Sequence, residues 1–149
     1  NHGVKLKILG DGPDKKYYEQ LIESLNIKDY VVMEPFTLNP FVYMNHAICT
    51  VLTSFYEGFP LVLVESLASG TPVVAINCKT GPSEIINHNV NGLLLQTYDE
   101  YELSKALKLM VNDNSFVNKL KKNTLSSVQK FDKKNIAKKW NAVLEGRTF

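Results

Sequence analysis

The sequence has 149 residues, 44% hydrophobic and 21% charged, with 2 cysteines and a formal net charge of +2. That is the composition of one globular domain, able to bury about two-thirds of its unfolded surface. It contains no run long enough to span a membrane, no signal peptide at its start and no metal-like spacing around Cys49 and Cys78, so two reduced cysteines of a cytosolic protein are expected.

Residues 4–9 alternate apolar and basic side chains and predict a strand ending in a tight turn of Gly10, Asp11, Gly12 and Pro13. Such turns face ligands in open α/β sheets, although this one is not a full dinucleotide fingerprint. Tyr17, Tyr18, Leu21, Ile22 and Leu25 have the spacing of an amphipathic helix over 14–25, with Asp14 as its cap. A short strand is expected at 30–33, then two proline breaks at Pro35 and Pro40, then a short helix at 41–46. Phe36 could line a base pocket or pack in the core, and the burial bias of aromatic residues favours the core.

The apolar run 47–52 predicts a buried strand closed by Thr53, Ser54 and Gly58. Pro60 suits the first position of a helix, where its missing N–H would have no partner anyway. That helix should cover 60–69 and stop at Gly70, before Thr71 and Pro72. Another buried strand is expected at 72–76, and a short helix at 82–87 starting at Pro82, with Ser83 and Glu84 in its first turn. Asn91 and Gly92 mark a turn into a strand at 92–95. Helices follow over 99–111, 115–131 and 132–144, the last with Ile136 and Trp140 on one face. Alternating strands and helices predict an α/β fold: a Rossmann-like doubly wound parallel sheet over 4–95 with a helical tail over 99–149, in a single domain.

The richest chemistry lies in SFYEGFPLVLVESLASGTP at 54–72. Glu57 falls in the loop beyond strand 47–52 and Glu65 in the second turn of the next helix, with seven residues between them. A carboxylate offers two acceptor oxygens to neighbouring hydroxyls, such as those of a ribose or a hexose. Between the two, Phe59, Pro60, Leu61 and Val62 form a helix start whose amides and dipole suit a phosphate. Hydroxyls, phosphate and hydroxyls in a row outline a sugar nucleotide. The plainer reading is that strand, glycine loop and helix recur in every doubly wound protein, and that a glutamate at a helix start serves its dipole. Gly81 and the helix after it should lie on the same side of the sheet, where two helix ends bind an anion better than one. Glu84 reads first as a dipole partner or loop anchor and second as a ligand contact. His2, His46 and His88 show no ligand spacing, and the sequence holds no Ser-His-Asp, Cys-His or metal constellation.

With GDGP at 10–13, the block at 54–74, GPSEII at 81–86 and NGLLL at 91–95, the chain resembles the C-terminal half of a retaining glycosyltransferase of family 4. That family has the two-domain architecture called GT-B, and the resemblance spans residues 4 to about 145. It implies that Glu65 accepts from the ribose hydroxyls and that Glu57, the catalytic-centre residue, binds hydroxyls of the donor sugar. Gly58 and the segment Phe59, Pro60, Leu61 and Val62 would hold the diphosphate. Phe36, beside Pro35, would border the base, Gly10 and Gly12 would line the crevice, and Gly81 with Glu84 would shape its far wall. The implied reaction moves a hexose with retention from a nucleotide diphosphate sugar, a UDP-sugar being favoured, to a glycan or lipid-linked acceptor. Bacterial-type polysaccharide or glycoconjugate synthesis is the implied setting. No cofactor and no metal are expected, because positive charge and a helix dipole would stabilise the leaving phosphate.

The alternative is a non-catalytic nucleotide-binding or interaction module on the same fold. A response-regulator-like phospho-acceptor fails, because no acidic cluster beyond Asp11 follows the first strand. Family members carry a strand, a Gly-Arg turn and a Lys-Gly helix before the position of Val4, and an N-terminal acceptor-binding domain. The expectation is therefore a fragment of a larger enzyme, missing the first strand and helix of its domain, inactive alone and binding a sugar nucleotide weakly if at all. Charge is uneven: −5 over residues 1–118 and +7 over 119–149. Such a tail fits a peripheral contact with the inner face of an anionic membrane, or a lipid-diphosphate acceptor. A solvated lysine face on packed helices is the more frequent outcome, and nucleic acid is not expected as a partner.

Overall fold

The computed structural model describes residues 3–147, so His2 lies outside the described residues. The elements run β1 (Leu6–Leu9), α1 (Lys15–Ser24), β2 (Val31–Glu34), α2 (Phe41–His46), β3 (Thr50–Leu52), α3 (Leu61–Ala68) and β4 (Val73–Ile76). They continue with α4 (Pro82–Ile85), β5 (Gly92–Leu95), α5 (Glu100–Asn112), α6 (Asn114–Val128), a 3-10 turn (Gln129–Phe131) and α7 (Lys133–Leu144). Contacts divide the chain into two compact units, Asn1–Val42 and Tyr43–Phe149, so the helical tail belongs with the second unit.

In the first unit β1 and β2 pair in parallel, Leu6 opposite Val31 and Leu9 opposite Glu34. Parallel neighbours need a crossover, and α1 supplies it. Its apolar stripe has the expected spacing, yet no α1 residue is fully buried and Tyr17 is 61% exposed. Asp14 precedes the helix without capping it, because its backbone has left the extended geometry that aims a side chain at the first amides.

In the second unit the strands are parallel in the order β3-β4-β5. The middle strand is buried along its whole length, and successive side chains enter opposite cores. Val73 and Ala75 pack with Leu63 and Leu67 of α3, Ile85, Ile86 and Val128. Val74 packs with Leu93, Ala106 and Met110 of α5, and Val117 and Leu120 of α6. Helices therefore cover both faces, as a doubly wound sheet requires. The expected buried strand at 47–52 is shorter and only half-buried, because Ile48 and Cys49 pack against the second core before the ladder begins.

Several buried polar groups of this unit are satisfied locally, whereas the buried Asn77 Oδ1 has no hydrogen-bond partner among the described residues. Asn91, fully buried, accepts from the Asn87 amide at 2.8 Å and donates to the Ile85 carbonyl at 3.0 Å, closing the turn before β5. The Ser66 hydroxyl of α3 donates to the Thr71 carbonyl at 3.0 Å and shares a hydroxyl–hydroxyl hydrogen bond with Thr50 Oγ1 at 2.7 Å, tying helix to strand. His88 Nδ1 accepts from the Leu94 amide, so this histidine braces β5. Asp99, Asp113 and Asp132 each cap the helix that follows through a main-chain amide. Both cysteines are free, and burial pushes the Cys49 thiol up to about 11, where it stays protonated at neutral pH. In α7 no residue is fully buried, and Trp140 is 63% exposed.

Gly92 marks the closest approach in the sheet. A Cβ there would lie 2.3 Å from the Val73 carbonyl oxygen and 2.8 Å from Val73 Cγ2, with no open side to move into. Gly92→Ala should cost about 3 kcal/mol or more through overpacking, seen as a lower urea midpoint at unchanged m. Gly12→Ala, with nothing within 4 Å of the new carbon, should leave the midpoint nearly unmoved.

Candidate functional site

Parallel strands deliver their carboxyl-end loops to one edge of a sheet, and ligands of open α/β sheets bind at such edges. In the second unit those loops are 53–60 after β3, 77–81 after β4 and 96–99 after β5. Glu57, Gly81 and Tyr98 each lie in one of them.

Loop 53–60 is held by its backbone and its aromatic rings. The Tyr98 hydroxyl donates to the Ser54 carbonyl at 2.9 Å and to the Phe55 carbonyl at 3.3 Å. Its ring stacks on Phe55 with centroids 4.7 Å apart and planes 18° from parallel. From the second loop, the Thr80 hydroxyl donates to the Glu57 carbonyl at 2.5 Å. Gly81, at φ 98°, sits where a Cβ would be 2.4 Å from Pro60 Cδ and 3.2 Å from the Gly58 carbonyl oxygen. The Phe59 ring meets Phe131 edge-on at 5.2 Å. The structure thus brings Glu57, Gly58, Phe59, Pro60 and Gly81 into one junction of loops.

The acidic side chains are treated differently. Glu57 and Glu65 are both half-buried, and among the described residues neither carboxylate has a hydrogen-bond or ion-pair partner. A half-buried carboxylate with no protein donor keeps its two oxygens available to accept hydrogen bonds from outside the chain. The Glu65 main chain, by contrast, is engaged: its carbonyl accepts from the Ser69 amide at 3.0 Å and the Ser69 hydroxyl at 2.8 Å.

At the start of α3, Pro60 precedes the helix rather than opening it, with an extended ψ of 91°. Its carbonyl accepts from the Leu63 amide at 3.0 Å, and no side chain caps the helix. The amides of Leu61 and Val62 belong to the first turn, which by helix geometry has no intrahelical acceptor for them. Pro60 has no N–H, so Phe59, Leu61 and Val62 are the donors of the expected segment. Beside them an apolar groove of about 380 Å³ is lined by Phe59, Leu61, Val64, Phe131, Ile136 and Lys139.

The short α4 begins behind Gly81 and ends at Ile85, earlier than expected, because Ile86 is extended. Glu84 is exposed, and its carbonyl accepts from Lys130 Nζ at 2.8 Å. That ammonium also lies 4.8 Å from the centroid of the Phe131 ring. The basic tail therefore contributes a cation to α4.

Gly10, Gly12 and Phe36 belong to the first unit. There the Asp11 carboxylate accepts from Lys15 Nζ at 2.8 Å and from the Phe36 amide at 3.2 Å, tying the glycine turn to the segment beyond β2. The hydrogen bond from Lys15, then that from the Phe36 amide, then the Lys15 charge, lower the Asp11 pKa. Phe36 is 71% exposed, which removes the core reading of this residue; it follows β2 on a segment held by its backbone.

Tyr98, Thr80 and Lys130 were not singled out from sequence. The available signal for the first two was position, since both follow the carboxyl ends of predicted strands. Partial desolvation, with Cys78 and Tyr56 nearby, raises the Tyr98 pKa and keeps its phenol a donor.

The sequence profile of the glycosyl transferases group 1 matches residues 1–126. A relative, the poly(ribitol-phosphate) alpha-N-acetylglucosaminyltransferase of Staphylococcus aureus, is 30% identical over 144 residues, covering 94% of this chain and 29% of that protein. Another is the N-acetylgalactosamine-N,N'-diacetylbacillosaminyl-diphospho-undecaprenol 4-alpha-N-acetylgalactosaminyltransferase of Campylobacter jejuni. It is 34% identical over 135 residues, covering 91% of this chain and 37% of that protein. The crystal structure of Anabaena Alr3699/HepE in complex with UDP-glucose is similar with a TM-score of 0.87 and 26% identity, over 96% of this chain and 41% of that one. The chain spans about two-fifths of the length of two further curated relatives, at 42% and 39%. It belongs to the glycosyl transferases group 1 family, and its parallel sheets with C-terminal helices match the C-terminal domain of the GT-B fold.

Gly81→Ala would drive a methyl into Pro60 at a backbone angle that L side chains rarely adopt. The variant should lose about 1–3 kcal/mol of stability. It should also speed amide hydrogen exchange in loops 53–60 and 77–81 more than in β4, and uniform exchange across the unit would refute the junction.

Proposed function

We propose that this chain is the donor-binding half of a retaining glycosyltransferase that moves a hexose from a UDP-sugar to a glycan or lipid-linked acceptor in cell-surface glycan synthesis. The observation that carries the reading is the pair of half-buried, unpartnered carboxylates flanking an uncapped helix start, in a chain of the group 1 family. Relatives whose names describe transfer to poly(ribitol-phosphate) and to a diphospho-undecaprenol glycan, and a similar structure in complex with UDP-glucose, support it.

In this reading Glu65 accepts from the two ribose hydroxyls and Glu57 from hydroxyls of the donor sugar. The amides of Phe59, Leu61 and Val62 meet the diphosphate at the positive end of α3. As the sugar leaves, charge accumulates on the diphosphate, and these fixed dipoles stabilise it without reorganising. Lysines 133, 134, 138 and 139 on α7, beside the exposed Trp140, Val143 and Leu144, complement an anionic lipid surface on the cytoplasmic side, where a lipid-linked acceptor would reside.

Thermal shift of the full-length enzyme carrying this chain against UDP-, GDP- and ADP-sugars tests the donor class, since a ligand bound only by the folded state raises the melting temperature. A UDP-sugar should give the largest rise, and no rise with any nucleotide sugar would overturn the reading. Glu65→Gln should weaken UDP and UDP-glucose alike, by about tenfold or more, as expected for lost hydrogen bonds to a charged acceptor. Glu57→Gln should weaken UDP-glucose by a similar factor and leave UDP unchanged. For the membrane contact, sedimentation with vesicles containing anionic lipid should fall steeply with salt, whereas equal sedimentation with neutral vesicles would refute it.

A further inference from the structure

Loop 53–60 must present the Glu57 carboxylate while leaving it unpaired, so something other than that carboxylate has to fix the loop. Phe55 and Tyr56 are 69% and 88% exposed, and neither buries enough surface to anchor it. The anchor comes instead from loop 96–99: the Tyr98 ring lies flat on Phe55 and its hydroxyl donates to the carbonyls of Ser54 and Phe55. On the other side Thr80 donates to the carbonyl of Glu57 itself. Both donors address backbone oxygens, so they set the path of the main chain through Glu57 without competing for its carboxylate.

We propose that Tyr98, with Thr80 as its counterpart, is a positioning residue that sets where the Glu57 carboxylate meets the donor sugar, and thereby the preference for a sugar nucleotide over the bare nucleotide. This rests on the donor-binding reading above. Tyr98 follows β5 and Thr80 follows β4, so residues from two neighbouring strand ends aim a carboxylate delivered from a third. Glu65 stands on α3, outside the latched loop, so the ribose contact assigned to it does not depend on Tyr98.

Tyr98→Phe keeps the stacked ring and removes only the hydroxyl. The affinity for UDP-glucose should fall by about fivefold, the worth of one neutral hydrogen bond, with the affinity for UDP unchanged. Thr80→Val should act in the same direction and Thr80→Ser should restore the parent ratio. Amide exchange at 54–58 should quicken several-fold in Tyr98→Phe while the melting temperature stays within a few degrees. Equal losses for UDP and UDP-glucose, or an unchanged ratio, would overturn the proposal. These affinities are read in the full-length enzyme: if the full-length parent binds neither ligand the donor reading itself fails, and unchanged exchange at 54–58 would then still sink the latch on its own.

Discussion

The second unit depends on one strand, β4, hydrogen-bonded on both edges and buried on both faces. Because Val73 and Ala75 face one way and Val74 the other, its few residues hold together two separate cores. The approach of Gly92 to Val73 fixes the β4–β5 spacing, and the Ser66 hydroxyl fixes α3 over the sheet from Thr50 to Thr71. Hydrophobic burial is non-directional, whereas these hydrogen bonds and this steric limit set register. Register in turn decides where loops 53–60, 77–81 and 96–99 emerge relative to one another.

Those loops show how a site can be firm without being closed. Their mutual contacts use carbonyl oxygens, aromatic faces and the absence of a glycine side chain, not the groups assigned to ligand. The loop geometry is thus fixed before a ligand arrives, which lowers the ordering cost of binding. It also lets the start of α3 and the Glu57 loop be positioned by different partners, Pro60 with Gly81 for one and Tyr98 with Thr80 for the other.

Much of the architecture was legible in the sequence because its signals are local. The apolar run that became β4, the glycine and proline punctuation around α3, and the spacing of α5 and α6 depend on neighbours in the chain. Helix α2 falls at the expected residues, while α4 is shorter because its extended Ile86 carries a side chain into the core. The role of Asn91 was not legible: its turn signal was clear, but its burial and its bonds to Asn87 and Ile85 arise only once α4 and β5 are in place. Tyr98 is a similar case, since nothing in its own neighbourhood records a contact 44 residues away. Phe36 shows the converse, a residue that composition assigns to the interior and that the fold leaves in solvent.

The acids of this chain differ in how they are satisfied. Asp11 takes the Lys15 ammonium and the Phe36 amide, Asp99, Asp113 and Asp132 take helix amides, and Glu34 lies 3.7 Å from Lys7. Glu102 is half-buried but sits in the first turn of α5, where the helix dipole favours it. Glu57 has neither kind of support: it lies in a loop, half-buried, with only its carbonyl bound. Glu65, past the first turn of α3, gains less from the helix end than Glu102 does, since that effect fades within a turn. Among the described residues, Glu57 and Glu65 are thus the half-buried acids with neither a protein donor nor a first-turn position, which is the observation the proposed ligand role rests on. Their chemistry, two acceptor oxygens each, on either side of a helix start that donates, fits a ligand with hydroxyls at both ends and a phosphate between them.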